Sequence, residues 1–121
     1  MKLILLIEDD PFLVDIYTIK LKEMGFSVDS TDDGDQAILK IKENKPDLVL
    51  LDIVLPNLNG WEILRKIKKD DEMRYLKIII LSNLAEREEV EKGMKFGADK
   101  YLVKAHYTPS EVVKEITKIL E

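Results

Sequence analysis

Leu48-Val49-Leu50-Leu51-Asp52 sets four aliphatic residues directly before a carboxylate, and Ile53-Val54-Leu55-Pro56-Asn57-Leu58-Asn59-Gly60 follows with the Pro, Asn and Gly of a loop. An unbroken apolar run this short, bounded by turn residues, fits a strand covered on both faces, as in a parallel sheet. In open sheets of that kind ligands gather beyond the carboxyl ends of the strands, so Asp52 stands where a reacting group would stand. A strand-ending Asp that only caps the loop would look the same in isolation, and the distinction rests on the flanking segments.

The same pattern recurs on both sides. Lys2 to Ile7 is an aliphatic run ending in Glu8-Asp9-Asp10, and Pro11 suits the first position of a helix capped by Asp10. Leu13, Ile16, Tyr17, Leu21 and Met24 recur at helical spacing before Gly25 closes that helix. Phe26 to Ser30 alternates as a half-exposed strand; Asp33 with Gln36 opens a helix that buries Ala37, Ile38 and Ile41 and stops before Pro46. Beyond Asp52, Asn59 with Glu62 predicts a third cap, and Trp61, Ile63, Leu64 and Ile67 the apolar side of its helix, which polar residues 68–74 end. Lys77 to Leu81 is a fourth strand, running into Ser82. Asn83 with Glu86 predicts a helix to Phe96, with Gly97 behind it, whose apolar side holds little beyond Val90 and Met94 and which should be the most loosely held. Lys100 to Val103 is a fifth strand ending at Lys104, and Thr108-Pro109-Ser110-Glu111 is a capping box for a last helix with Val112, Val113, Ile116, Ile119 and Leu120 inward.

Five strand–helix alternations in 121 residues predict a single α/β domain over residues 1–121, a parallel sheet with helices on both faces joined by right-handed crossovers. A hydrophilic second strand belongs at an edge, which favours the doubly wound, flavodoxin-like order 2-1-3-4-5. The absence of Cys excludes thiolate metal sites and cysteine nucleophiles and suits the cytoplasm. The apolar run after Lys2 is too short for a signal peptide or a membrane span. A net charge of -5, with 36% charged residues of both signs, disfavours direct nucleic-acid binding.

In the 2-1-3-4-5 order the carboxyl ends of four strands present Glu8 with Asp9, Asp52, Ser82 and Lys104 on one rim. Clustered carboxylates raise one another's pKa and stay ionised only if a cation joins them. Hard oxygen donors without His or Cys point to Mg²⁺, which favours one or two carboxylates plus a phosphate. Such a site suits a phosphoryl group carried covalently on Asp52, with Lys104 as fixed counter-charge and Ser82 as hydroxyl donor. His106, the only histidine, reads as an exposed loop residue.

Ile7-Glu8-Asp9-Asp10-Pro11, Leu50 to Pro56 with Gly60, Ile80-Leu81-Ser82, Gly97-Ala98 and Tyr101-Leu102-Val103-Lys104 together give the chain a resemblance, over its whole length, to the receiver domain of bacterial two-component response regulators. The resemblance implies Asp52 as phosphoacceptor, Asp9 as direct Mg²⁺ ligand, Glu8 acting through water and the carbonyl of Val54 as a further ligand. It implies Ser82 as the switch hydroxyl, Tyr101 as the switch aromatic and Lys104 as the family's lysine. A sensor histidine kinase or phosphotransfer protein would donate the phosphoryl group. The face of helix four, strand five and helix five would then change shape for a downstream partner or a phosphorylation-dependent dimer. The sequence fits a stand-alone receiver or one belonging to a longer regulator.

Three departures from the family pattern stand out. Ala105 follows Lys104 where Pro, joined by a cis bond, is common; a non-proline cis bond costs about 3 kcal/mol. Asn83 replaces the small residue usual after the switch hydroxyl, which predicts a more crowded phosphate pocket. Val54 and Leu84, two residues after Asp52 and Ser82, cannot orient an attacking water, which predicts slow self-dephosphorylation. Rival readings are a phosphorylation-independent receiver-like binding module, a flavin or nucleotide binder on the same fold, whose phosphate Glu8-Asp9-Asp10 would repel without a metal, and a Mg²⁺-dependent phosphohydrolase. The last needs a second Asp two residues after the nucleophile, where Val54 stands.

Overall fold

A computed structural model of the chain describes residues 1–55 and 58–121; the loop reading of Pro56 and Asn57 lies outside the described residues. Five parallel strands, β1 (Leu3–Ile7), β2 (Ser27–Thr31), β3 (Leu48–Leu51), β4 (Lys77–Ser82) and β5 (Lys100–Val103), form one sheet in the order β2-β1-β3-β4-β5. Helices α1 (Pro11–Glu23), α2 (Gly34–Asn44), α3 (Gly60–Lys69), α4 (Arg87–Lys95) and α5 (Pro109–Leu120) alternate with them. The predicted fold class and strand order are therefore those of the molecule. A short antiparallel ribbon, Val54–Leu55 against Leu58–Asn59, follows β3 in a segment read as loop.

The strands are apolar at consecutive positions because the sheet is covered on both sides. Leu5, Ile7, Val49, Leu51, Ile78 and Ile80 join Ala37, Ile41, Ile63, Leu64 and Ile67 in one core, beneath α2 and α3. The alternate residues Ile4, Leu6, Leu48, Leu50, Ile79 and Leu81 meet Tyr17, Leu21, Val112, Val113 and Ile116 in the other, beneath α1 and α5. Every residue of β2 is only half-buried, as an edge strand beside β1 requires.

The predicted caps are mostly present. Asp10 Oδ1 accepts from Phe12 N (2.9 Å), Asp33 Oδ1 from Asp35 N and Gln36 N, and Asn59 Oδ1 from Trp61 N. Thr108 and Glu111 form the full reciprocal box. Three expectations need correction. Met24 is exposed, because α1 has ended and its backbone turns away at Gly25 (φ 91°). Asn83 caps nothing: α4 begins at Arg87, after Glu86, whose side chain makes no capping bond. Met94 is also exposed, and the residue of α4 that is buried is Gly93. A Cβ on Gly93 would lie 2.8 Å from Ile80 Cδ1 and 2.8 Å from Tyr101 Cδ2, so the missing side chain is what lets α4 rest on β4 and β5.

Candidate functional site

The carboxyl ends of β1, β3 and β5 bring three charged side chains into direct contact. Lys104 Nζ lies 2.6 Å from Asp52 Oδ2 and 2.7 Å from Glu8 Oε1, with Asp52 and Glu8 each about 6% exposed at the side chain. Each carboxylate has a second anchor. Asp52 Oδ1 accepts from Val54 N at 3.0 Å, and Glu8 Oε2 accepts from the backbone N–H groups of Asp9 (3.0 Å) and Asp10 (3.2 Å). The loop after each strand thus folds back to hold the carboxylate that ends it. Burial raises the pKa of Glu8 against the opposing pull of Lys104. Burial alone would depress Lys104, but its hydrogen bonds to Asp52 and Glu8 outweigh that and hold it above the usual lysine value.

Asp9 completes an acidic cluster. One carboxylate oxygen from each of Glu8, Asp9 and Asp52 lies within 4.8 Å of the others. With Lys104 counted, this cluster keeps two formal negative charges, which a divalent cation would neutralise, and its all-oxygen donor set suits Mg²⁺ rather than a softer metal. A cavity of about 420 Å³ opens over the cluster, lined by Glu8, Asp9, Asp10, Asp52, Val54, Asn83, Leu84 and Lys104.

Ser82 ends β4 as expected but lies beneath the rim rather than on it. Ser82 is fully buried, and its Oγ accepts from Leu84 N at 3.1 Å; Asn83 and Leu84 line the cavity instead. Tyr101 is half-buried at the α4 side, and its hydroxyl donates to the Leu84 carbonyl at 2.7 Å. Burial raises its pKa. The backbone of Leu84 therefore joins the two expected switch residues, a link that residue types alone could not show because both bonds end on main-chain atoms. Asn83 is exposed at the cavity wall. The Lys104–Ala105 peptide is trans, and Lys104–His106 form a single 3₁₀ turn. His106 is exposed, as read.

The response regulator receiver domain family matches residues 4–117. The chain belongs to that family. This receiver domain is 36% identical over 113 residues to the DNA-binding response regulator MtrA of Mycolicibacterium smegmatis, covering 93% of this chain and 48% of the relative. It superposes on a CheY-like receiver domain protein from Methanospirillum hungatei with a TM-score of 0.89 at 28% identity, covering 99% of this chain and 94% of the other. The chemotaxis protein CheY4 of Vibrio cholerae shares the fold, with a TM-score of 0.89 at 22% identity and 98% of both chains covered. The chain spans about half the length of MtrA and 15% of a gliding motility regulatory protein of Myxococcus xanthus to which it is 33% identical over 96% of its own length. As a receiver domain it is of the class of phosphorylation-activated switch modules of two-component signalling. Among the described residues, no helix is long and apolar enough to cross a membrane.

Proposed function

We propose that Asp52 accepts a phosphoryl group from the phosphohistidine of a sensor kinase or phosphotransfer protein, and that Ser82, Leu84 and Tyr101 convert its arrival into a change on the face of α4, β5 and α5. The observation that carries this reading is the contact of Lys104 with both Glu8 and Asp52 at a cavity open to a phosphodonor. In the transfer the P–N bond breaks, the imidazole keeps its electron pair, and a P–O bond forms to Asp52. Lys104, already 2.6 Å from Asp52, can follow the incoming charge and hold a phosphoryl oxygen. Val54 N–H keeps the other carboxylate oxygen in place while the first reacts. Asp9 and Asp52, with the Val54 carbonyl and Glu8 through water, would hold Mg²⁺. Bound there, it would neutralise charge developing on the phosphoryl oxygens.

The signal then runs through hydrogen bonds. When the Ser82 hydroxyl turns to donate to the phosphoryl group it gives up its bond from Leu84 N, and Leu84 is the residue whose carbonyl holds Tyr101. Release of Tyr101 alters its packing on α4, the element with a glycine at its contact. The catalysis is confined to this self-phosphorylation and a slow hydrolysis. Residues 1–121 act as one domain in the cytoplasm, with a protein partner or a second, phosphorylated copy as output and no direct nucleic-acid contact or membrane insertion.

Incubation with a small phosphodonor and Mg²⁺, read by intact mass, should add one phosphoryl group to the wild type and none to Asp52→Ala. An unmodified wild type, or equal labelling of the variant, would overturn the assignment.

A further inference from the structure

The cavity at the strand ends uses none of the cations on the groove between α3 and α4, which is walled by Arg65, Lys68, Lys69 and Phe96 and encloses about 310 Å³. On α3, Trp61, Arg65 and Lys69 recur four residues apart and share a face; on α4, Lys92 precedes Phe96 by the same interval. The Trp61 and Phe96 rings meet edge to face, 5.7 Å between centroids at 86°. Arg65 sits 5.2 Å from the Phe96 centroid, and Lys92 Nζ 4.4 Å from that of Trp61. Lys68 closes the floor, its stem lying across Gly97 and its ammonium donating to the carbonyls of Arg74 and Leu76.

Among the described residues, Arg65, Lys69 and Lys92 have no carboxylate within 4.0 Å, although the chain carries a net charge of -5. An arginine beside a tryptophan and a second aromatic ring is a composition enriched at binding hot spots, and Lys69 and Lys92 add positive charge around it that no carboxylate of the described residues offsets within 4.0 Å. Stacking on the rings also holds Arg65 and Lys92 near one geometry, so less side-chain freedom is lost when an anion arrives.

We propose that the α3–α4 groove docks an acidic peptide segment of a partner protein, with carboxylates on Arg65, Lys69 and Lys92 and an apolar or aromatic side chain against Phe96. A polyanion such as nucleic acid is disfavoured, because the negative field of the rest of the chain opposes it over many phosphates, whereas a short peptide engages only the local cations. The cavity volume suits one or two side chains. The proposal does not depend on phosphorylation of Asp52.

Trp61 is the only tryptophan and meets the groove-lining Phe96 edge to face, so its emission reports the groove through that contact. The unphosphorylated protein would be titrated with a short synthetic peptide of glutamates flanking phenylalanine, with the same peptide carrying lysines for glutamates, and with a single-stranded oligonucleotide. Saturable change with the acidic peptide alone, weakened by salt, is expected. Affinity should fall roughly tenfold or more in Arg65→Glu/Lys69→Glu, both exposed positions, and persist in Asp52→Ala. Phe96→Ala should weaken binding without altering its salt dependence, and amide shifts should map to residues 61–69 and 92–97. Absence of saturable binding, indifference to charge reversal in a variant with an unchanged unfolding midpoint, or tighter binding of the oligonucleotide would overturn the proposal. Self-association that buries Trp61 would also overturn it, assigning the groove to a second copy.

Discussion

Asp52 has both carboxylate oxygens engaged, one by Lys104 and the other by the N–H of Val54, and its surroundings decide how long a phosphoryl group would survive on it. Hydrolysis of an acyl phosphate needs a water held in line, and general-base or hydrogen-bonding help with such a water is worth about 10²–10⁴ in rate. Two residues after Asp52 and after Ser82 the cavity wall carries Val54, 58% exposed, and Leu84, neither with a polar atom, and the neutral polar side chain on that wall is Asn83. Phosphorylated wild-type protein should therefore persist well beyond seconds in Mg²⁺, and Val54→Asn should shorten its lifetime by roughly tenfold or more, as followed by loss of the phosphoryl mass. A wild-type half-life of seconds would contradict this. Glu8, Asp9, Asp52 and Lys104 were legible in sequence because each ends an aliphatic run. The buried Ser82 Oγ and the Leu84 backbone link were not, because their partners are peptide groups that every residue carries.

Among the elements, α4 departs most from its sequence reading, and the departure has one cause. A capping signal at Asn83 and a thin apolar side of Val90 and Met94 describe a loosely held helix that starts early, but the close contact is at the backbone of Gly93. A hydrophobic pattern cannot register a contact made by the lack of a side chain. Gly93→Ala sets a gain of about 1 kcal/mol in helix propensity against about 1–3 kcal/mol for forcing a methyl between Ile80 and Tyr101. A net loss of about 1 kcal/mol is expected in denaturant unfolding, with displaced Tyr101 resonances; unchanged or higher stability would mean that both neighbours yield. In α5 the capping box behaves as its sequence says. Glu111 is held below its ordinary value of 4.5 by hydrogen bonds to Thr108, so its contribution to stability is complete above that value and lost as pH falls through the depressed one. Replacing it in Glu111→Gln should flatten the acid side of the melting-temperature profile below about pH 4.5, and an unaltered acid limb would count against the box.

At the level of the whole molecule, the polarity of the second strand could be read as an edge position, while the rest of the strand order came with the resemblance to receiver domains. Which helices cover which face could not be read, since Leu5 and Ile7 are as apolar as Ile4 and Leu6 and either set could have met α1 and α5. The sheet fixes the answer and in doing so converges three loops on one place. That convergence has an energetic consequence for the entire fold. Glu8 and Asp52 are buried beside Asp9, and one ammonium serves them. Mutual repulsion among these carboxylates weakens the native state, and an unfolded chain, with the three dispersed, escapes it. A divalent cation that binds only the folded cluster should therefore stabilise the entire domain by mass action, by about 2.7 kcal/mol at a hundredfold excess over its dissociation constant. In a domain of this size that corresponds to an increase of roughly 5–15 °C in melting temperature on adding Mg²⁺, reversed by a chelator. Asp9→Asn/Asp52→Asn should melt higher than wild type without metal and should lose the increment with it. Lys104→Ala should do the opposite, melting lower without metal, because the Glu8 and Asp52 carboxylates keep their burial and lose their counter-charge, and gaining at least as much from Mg²⁺. An increment of equal size in all three proteins would place the ion elsewhere on this acidic chain, and none in the wild type would leave Lys104 as the only cation the site employs.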